Sequence, residues 1–198
     1  MLPPGGIFNL LTRDLPMPVK LIQPTPSAYV YPLLIKHLLH KPQAIAADQE
    51  ITYQGRIRYT YREFNKRLGR LANLLEGLGV EAGQTVAVMD WDSHRYLECF
   101  FAVPMMGAIL QTVNVRLSAE QILYTLNHAK ADVLLVNDEF FPILAAIADR
   151  LETVKRFILI SDAPQTAENP VPMAGEYEAL LATAREVYDF PDFDETAQ

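Results

Sequence analysis

The sequence carries one cysteine, Cys99, among 198 residues, so no internal disulfide can form. Cys99 lies in the apolar run Cys99-Phe100-Phe101-Ala102-Val103 with no neighbouring cation to stabilise a thiolate. It reads as a small buried hydrophobe in a reducing compartment. Basic charge is also scarce: 17 Lys and Arg stand against 24 Asp and Glu, a formal charge of -7. Without a basic surplus to neutralise phosphates, no nucleic-acid partner is expected. Long apolar runs are missing too. The longest, Cys99 to Leu110, is interrupted by Pro104 and Gly107 and falls well short of the roughly 20 residues a bilayer requires. No transmembrane segment is expected. The N-terminus, Met1 to Leu10, lacks the basic start and small-residue cleavage site of a secretory signal, so the expected location is cytoplasmic. What remains is ample for a folded core: 50% of the residues are hydrophobic and only 21% are charged, which excludes an intrinsically disordered chain.

Six prolines between Pro3 and Pro26 remove too many amide donors for a regular element, so residues 1–28 read as an extended Pro-rich arm. Between Tyr31 and His40 a short amphipathic helix is expected, with Leu34, Ile35, Leu38 and Leu39 on one face and Lys41-Pro42 closing it. Ala44 to Tyr53 and Arg56 to Tyr59 flank Gln54-Gly55 and predict a β-hairpin. From Thr60 the apolar period becomes helical, through Phe64, Leu68, Leu71, Leu75 and Leu78, with Thr60 and Glu63 at capping-box spacing. The helix stops at Gly77-Leu-Gly79. The run Thr85 to Asp90 lacks polar alternation and predicts a strand covered on both faces. Helices over Ser93–Met106, Ser118–Ala129 and Glu139–Arg150 then alternate with strands over Ala108–Val113, Asp132–Val136 and Val154–Ile160. The expected fold class is α/β, a parallel sheet flanked by helices and spanning an α/β subdomain over 29–163. Residues 164–198 read as a polar linker and tail with one short helix over Gly175–Arg185.

Motifs for chemistry are few. The glycines Gly77, Gly79 and Gly83 follow a helix rather than a strand, and their spacing misses the dinucleotide pattern by one place. A phosphate-cradling G-x-x-x-x-G-K-[ST] and a G-x-S-x-G elbow are absent from the sequence. His37 and His40 share a helical face, but two ligands are too few for a metal site, and a solvated face is the favoured reading. The loop Asp90-Trp91-Asp92-Ser93-His94 is the one place where chemistry is expected, because it follows a strand and opens a helix at the carboxyl edge of the sheet. The competing and favoured reading is that Asp92 or Ser93 caps the helix while Trp91 packs, with Ser93 and His94 diverging.

The order of segments resembles the adenylate-forming superfamily. Arg58-Tyr-Thr-Tyr-Arg-Glu-Phe64 is similar to its first core motif, with Tyr59 and Phe64 in place of leucines. Pro104-Met-Met-Gly-Ala-Ile-Leu-Gln-Thr-Val-Asn114 and Arg116-Leu-Ser-Ala-Glu-Gln-Ile122 resemble the second core motif and its continuation, and Leu126 to Val136 resembles the next helix and strand. The Asn-x-Arg-Leu variant is similar to medium- and long-chain fatty acyl-CoA ligases. The resemblance covers roughly residues 30–160. It implies an acid–thiol ligase using ATP, Mg²⁺ and coenzyme A on a fatty or similarly apolar carboxylic acid: acyl-AMP and pyrophosphate form first, and the CoA thiol then displaces AMP. The family's phosphate loop would begin after a segment like Asp194-Glu-Thr-Ala197, and its metal-binding Glu and catalytic Lys lie later still. The resemblance therefore implies an N-terminal part of such a ligase, inactive by itself and binding no cofactor tightly. No catalytic, cofactor-binding or metal residue is assigned. In some relatives the N-terminal segment contributes to dimerisation, so a homodimer is carried over as an expectation. A complete small Rossmann-like metabolite-binding or interaction domain without catalysis stays open as the alternative.

Overall fold

The computed structural model describes residues 25–27, 29, 31–163 and 168–194. The Pro-rich arm over 1–28 lies outside the described residues except for 25–27. The chain divides into two compact units, Met1–Tyr31 and Pro32–Gln198. In the first, Thr25 Oγ1 and Ser27 Oγ lie 3.4 Å apart, and the rings of Tyr29 and Tyr31 are 6.1 Å apart. Every element below belongs to the second.

It opens with a 3₁₀ turn, Ile35–Leu39, running into α1, His40–Ile45. Two expectations are corrected here. Leu34 and Leu39 are buried, but Leu38 is 66% exposed, because a three-residue turn does not align positions four apart as an α-helix would. Pro42 does not close the helix. It sits in the first turn of α1, where no helical amide bond is lost, so Ala44 and Ile45 are helical and the first hairpin strand starts later than expected. That strand, β1 (Glu50–Tyr53), pairs antiparallel with β2 (Ile57–Thr60) across a turn whose central residues, Gln54 at φ 50° and Gly55 at φ 70°, have the left-handed pair of a type I′ turn.

Helix α2 (Tyr61–Gly77) buries Phe64, Leu68, Leu71 and Leu75 along one stripe, as the period predicted. Thr60 Oγ1 caps it by accepting from the Glu63 amide at 3.2 Å. The capping box is only half formed. Thr60 also ends β2, opposite Glu50, and the Glu63 carboxylate turns instead to Arg70 Nη1 at 2.9 Å. Thr60→Ala should remove about 0.5–2 kcal/mol and lower Tm by about 1–8 °C in a thermal melt. An unchanged melt would deny the cap its role.

The parallel sheet is built from β3 (Thr85–Met89), β4 (Ile109–Thr112), β5 (Ala131–Asn137), β6 (Arg156–Ile160) and β7 (Gly175–Glu176), in spatial order β4-β3-β5-β6-β7. All four pairings are parallel. Helices α3 (His94–Met105), α4 (Ala119–His128) and α5 (Phe141–Ile147) connect β3 through to β6, and α6 (Tyr177–Thr183) follows β7. Alternation divides the sheet's apolar residues between two cores. Val86, Val88, Val133, Leu135, Ile158 and Ile160 pack towards α2, α3 and α6. Ala87, Met89, Leu134, Val136 and Leu159 pack towards α4 and α5. The five residues of β3 are all buried, which explains their unbroken apolar pattern. Ser118 and Gln121 complete the expected capping box on α4.

The helix expected over 175–185 begins later and ends sooner. Gly175 and Glu176 pair with Ile158 and Leu159 as the edge strand before α6 starts, and Tyr177 is fully buried. Two residues are too few for a period-two pattern to register. The helix expected over Glu139–Arg150 is split, with 3₁₀ turns at Asp138–Phe140 and Ala148–Arg150 around α5.

Candidate functional site

Strand order reverses between β3 and β5. The chain leaves β3 through α3 for β4 on one side and returns through α4 to β5 on the other, so the carboxyl ends of β3 and β5 bound the crevice where doubly covered sheets take ligands. The loop singled out from sequence, Asp90 to His94, lies there. The Asp90, Trp91 and Ser93 side chains are committed to one another and to residues at and just after the end of β5. Ser93 Oγ donates to Asp90 Oδ2 at 2.5 Å, and Asn137 Nδ2 donates to Asp90 Oδ1 at 2.8 Å. Burial pushes the Asp90 carboxyl up, and these two bonds only partly offset it. Ser93 Oγ also accepts from the Tyr96 amide at 3.2 Å and so caps α3. Trp91 packs its ring 5.1 Å from Phe140 and donates Nε1 to Glu139 at 2.8 Å.

Ser93 and His94 diverge, as adjacent helical residues must. Ser93 faces Asp90, whereas His94 Nε2 lies 3.2 Å from Glu178 Oε1 on α6. No nucleophile–base pair arises between them. Cys99 is fully buried, and burial pushes its thiol up, the opposite of what a reactive thiol needs. The rings of His37 and His40 are 5.1 Å apart, but among the described residues no group of three potential ligands could hold a metal.

Beneath the loop lies an ionic cluster that no motif announced. Arg67 of α2 grips two carboxylates bidentately: Nε and Nη2 donate to Glu98 at 2.7 and 3.1 Å, and Nη1 and Nη2 donate to Glu178 at 2.9 and 3.0 Å. Glu98 of α3 is completely buried and also accepts from Tyr59 Oη at 3.0 Å and Tyr177 Oη at 2.7 Å. Burial and the Glu98 charge raise both phenols, so they remain protonated donors. Arg95 joins Glu178 at 2.9 Å to Asp162 at 2.7 Å and the Ser161 carbonyl at 3.1 Å. The only sequence signal for Glu98 is a carboxylate between His94 and Ala102 on the buried stripe of an apolar helix, where an unpaired charge would not be tolerated.

Burial alone would raise the Glu178 carboxyl, but the His94 hydrogen bond and the Arg67 and Arg95 guanidiniums override it and hold the group far below the usual carboxylate range. A lowered folded value gives stability that is complete above the unfolded value and lost as pH falls through the folded one. Asp90 works the other way. Its raised value favours the fold at low pH, and that contribution is lost as pH rises through it. Urea midpoints should therefore fall below about pH 4, where Glu178 sets the slope. Glu178→Gln should flatten that acid limb while lowering the midpoint at pH 7. An equally steep limb in the variant would contradict this assignment.

The family model described as AMP-binding enzyme matches residues 37–192. The chain belongs to this family. It is 36% identical over 138 residues to a medium-chain fatty-acid CoA ligase of Ectopseudomonas oleovorans, covering 70% of this chain and 25% of that protein. To a long-chain fatty-acid CoA ligase of Thermus thermophilus it is 44% identical over 109 residues, covering 54% and 20%. The fold is shared with an anthranilate CoA ligase solved with anthranoyl-AMP, at a TM-score of 0.71 and 22% identity over 80% of this chain and 29% of that one. The chain thus spans a fifth to a quarter of the length of these two fatty-acid ligases.

An AMP-binding enzyme must hold the phosphates of a nucleotide, and the residues at this crevice do not fit them. The α3 cap takes up the Tyr96 amide, and the buried Asp90 carboxylate bonded to the capping Ser93 sets negative charge beside that helix start, which disfavours a phosphate there. No cluster for Mg²⁺ occurs among the described residues. Both core-motif segments instead serve the fold. Tyr59, Thr60 and Phe64 of the first motif respectively bind Glu98, cap α2 and fill the core. The second builds the end of α3, β4 and the turn into α4.

Proposed function

We propose that this chain is the N-terminal part of an acid–thiol ligase. The whole enzyme would join a fatty or similarly apolar carboxylic acid to the α-phosphate of ATP, releasing pyrophosphate, and pass the acyl group from acyl-AMP to the thiol of coenzyme A. The observation that carries this reading is the family match over residues 37–192, supported by the identity to two fatty-acid CoA ligases. Within that enzyme these residues form a scaffold and supply no catalytic side chain. Nucleotide, Mg²⁺ and coenzyme A would be held by later residues, and the 198-residue chain alone would be catalytically silent. An apolar groove of about 980 Å³ supports a role beside a further region: Leu33, Phe100, Met106, Ile109, Leu110 and Phe193 line it, and several of these are substantially exposed. No described helix is long and apolar enough to cross a membrane. Cytoplasmic residence and a homodimer belong to this reading as proposals.

The test is a coupled assay on the full-length protein with short, medium and long aliphatic acids and aryl acids. AMP should accumulate and free thiol should disappear in equal amounts, and only when acid, ATP and coenzyme A are all present. Formation of ADP, or no turnover across the whole panel, would overturn the reading. The silent-chain part is tested separately by calorimetric titration of the 198-residue chain with Mg-ATP. Micromolar affinity would place a nucleotide site within these residues.

A further inference from the structure

A second cavity, of about 280 Å³, lies between β1 and the first turns of α3, beside the closed crevice. Its walls combine Ile51, Leu97 and Phe100 with Tyr53, Asp92 and His94. The His94 side chain is 3% exposed, and its Nδ1 is a buried nitrogen without a hydrogen-bond partner. Since the Glu178 carboxylate can only accept, the hydrogen between them belongs to Nε2. In the neutral ring, Nδ1 then carries a lone pair that points away from Glu178. A buried acceptor left in this state calls for a donor.

We infer that this cavity binds a compact apolar or aromatic molecule bearing an N–H donor, with a primary ammonium as the favoured form. Two features select a cation over an anion. The exposed Asp92 carboxylate stands on the cavity wall, and the buried Asp90 lies directly behind Ser93. Burial raises both wall phenols, and nearby carboxylates add to it: Asp162 and Asp90 at Tyr53, Asp92 and Asp90 at Tyr96. Two cations oppose this field at Tyr53. Arg95 is already engaged by Glu178, Asp162 and the Ser161 carbonyl, and Arg56 lies exposed in the hairpin turn. At this volume the cavity sits at the small end of ligand sites, which limits the ligand to one ring or a short branched chain. The inference does not depend on the ligase reading, because an ammonium is neither the acid nor the nucleotide of that reaction.

The test titrates the 198-residue chain with phenethylammonium, 2-phenylethanol and 3-phenylpropionate, observing the ¹⁵N resonances of the His94 ring. Phenethylammonium should bind saturably at roughly millimolar concentration or below and shift Nδ1, with 3-phenylpropionate the weakest of the three. Asp92→Asn, a change at an exposed side chain, should weaken the ammonium about three- to tenfold without altering Tm. His94→Phe should abolish the preference for a donor. The inference fails if the carboxylate binds as tightly as the ammonium, if saturation leaves His94 Nδ1 unshifted, or if none of the three molecules binds and water alone serves Nδ1. Each outcome is read by binding to this chain and is independent of ligase turnover.

Discussion

Replacing Glu98 with leucine is expected to cost about 3–5 kcal/mol and to lower Tm by about 6–20 °C, enough to unfold a marginal domain near physiological temperature. The size follows from what remains. Arg67 loses one of its two bidentate partners while its side chain is only 14% exposed, and the Tyr59 and Tyr177 hydroxyls lose the acceptor they share. An unpaired buried donor is penalised more than a formed pair is rewarded. Arg67→Met should be comparably damaging for the reciprocal reason, because it strands a carboxylate with no solvent access. The double variant should be less destabilised than the sum of the singles, since each change removes the charge the other strands. Urea melts of all three proteins measure this, and simple additivity would show that Arg67 and Glu98 do not act as a pair.

Two glycines of one helix should respond to alanine with opposite signs. A Cβ at Gly69 would overlap the Glu186 carbonyl oxygen and lie 2.8 Å from its carbon, both backbone atoms that cannot swing aside. The segment after α6 is clamped at this place. Asn73 Nδ2 donates to the Arg185 and Val187 carbonyls at 3.0 and 2.9 Å, and Arg70 Nη2 meets Glu186 at 2.6 Å. Gly69→Ala should therefore cost about 1–3 kcal/mol despite alanine's better helix propensity, and speed amide exchange across 185–188. Gly77, at the end of the same helix, has nothing within 4 Å of the place an added methyl would occupy, so Gly77→Ala should stabilise by about 0.4–1 kcal/mol. If both variants gained stability, the close approach of the tail to α2 would be refuted.

These residues also mark where sequence reading reaches its limit. The sheet and its helices were legible because each apolar face repeats locally: Phe64, Leu68, Leu71 and Leu75 announce α2, and the β-branched run from Thr85 announces a doubly covered strand. The Ser118–Gln121 box was legible because both halves lie within one turn. Arg67 was not. Its partners Glu98 and Glu178 are separated from it by 31 and 111 positions, and periodicity reports that a position is polar, never which distant carboxylate it meets. Gly69 was invisible for the same reason, since a glycine within a helix declares its neighbour only once the tail is laid across it. At the loop after β3, the capping reading of Ser93 and the packing of Trp91 describe the geometry, while the Asn137 bond that closes the crevice depends on which strand lies beside β3.

Membership of the AMP-binding enzyme family, together with the proposed ligase chemistry, makes one partial reaction decisive. Acid-dependent exchange of labelled pyrophosphate into ATP by the full-length protein isolates the reversible formation of acyl-AMP without coenzyme A. The expected result is exchange that requires an apolar carboxylic acid, and no exchange by the 198-residue chain under the same conditions. Exchange by the chain alone would contradict the scaffold role of these residues. Absence of exchange by the full-length protein with every acid in the panel would contradict the adenylate-forming activity itself.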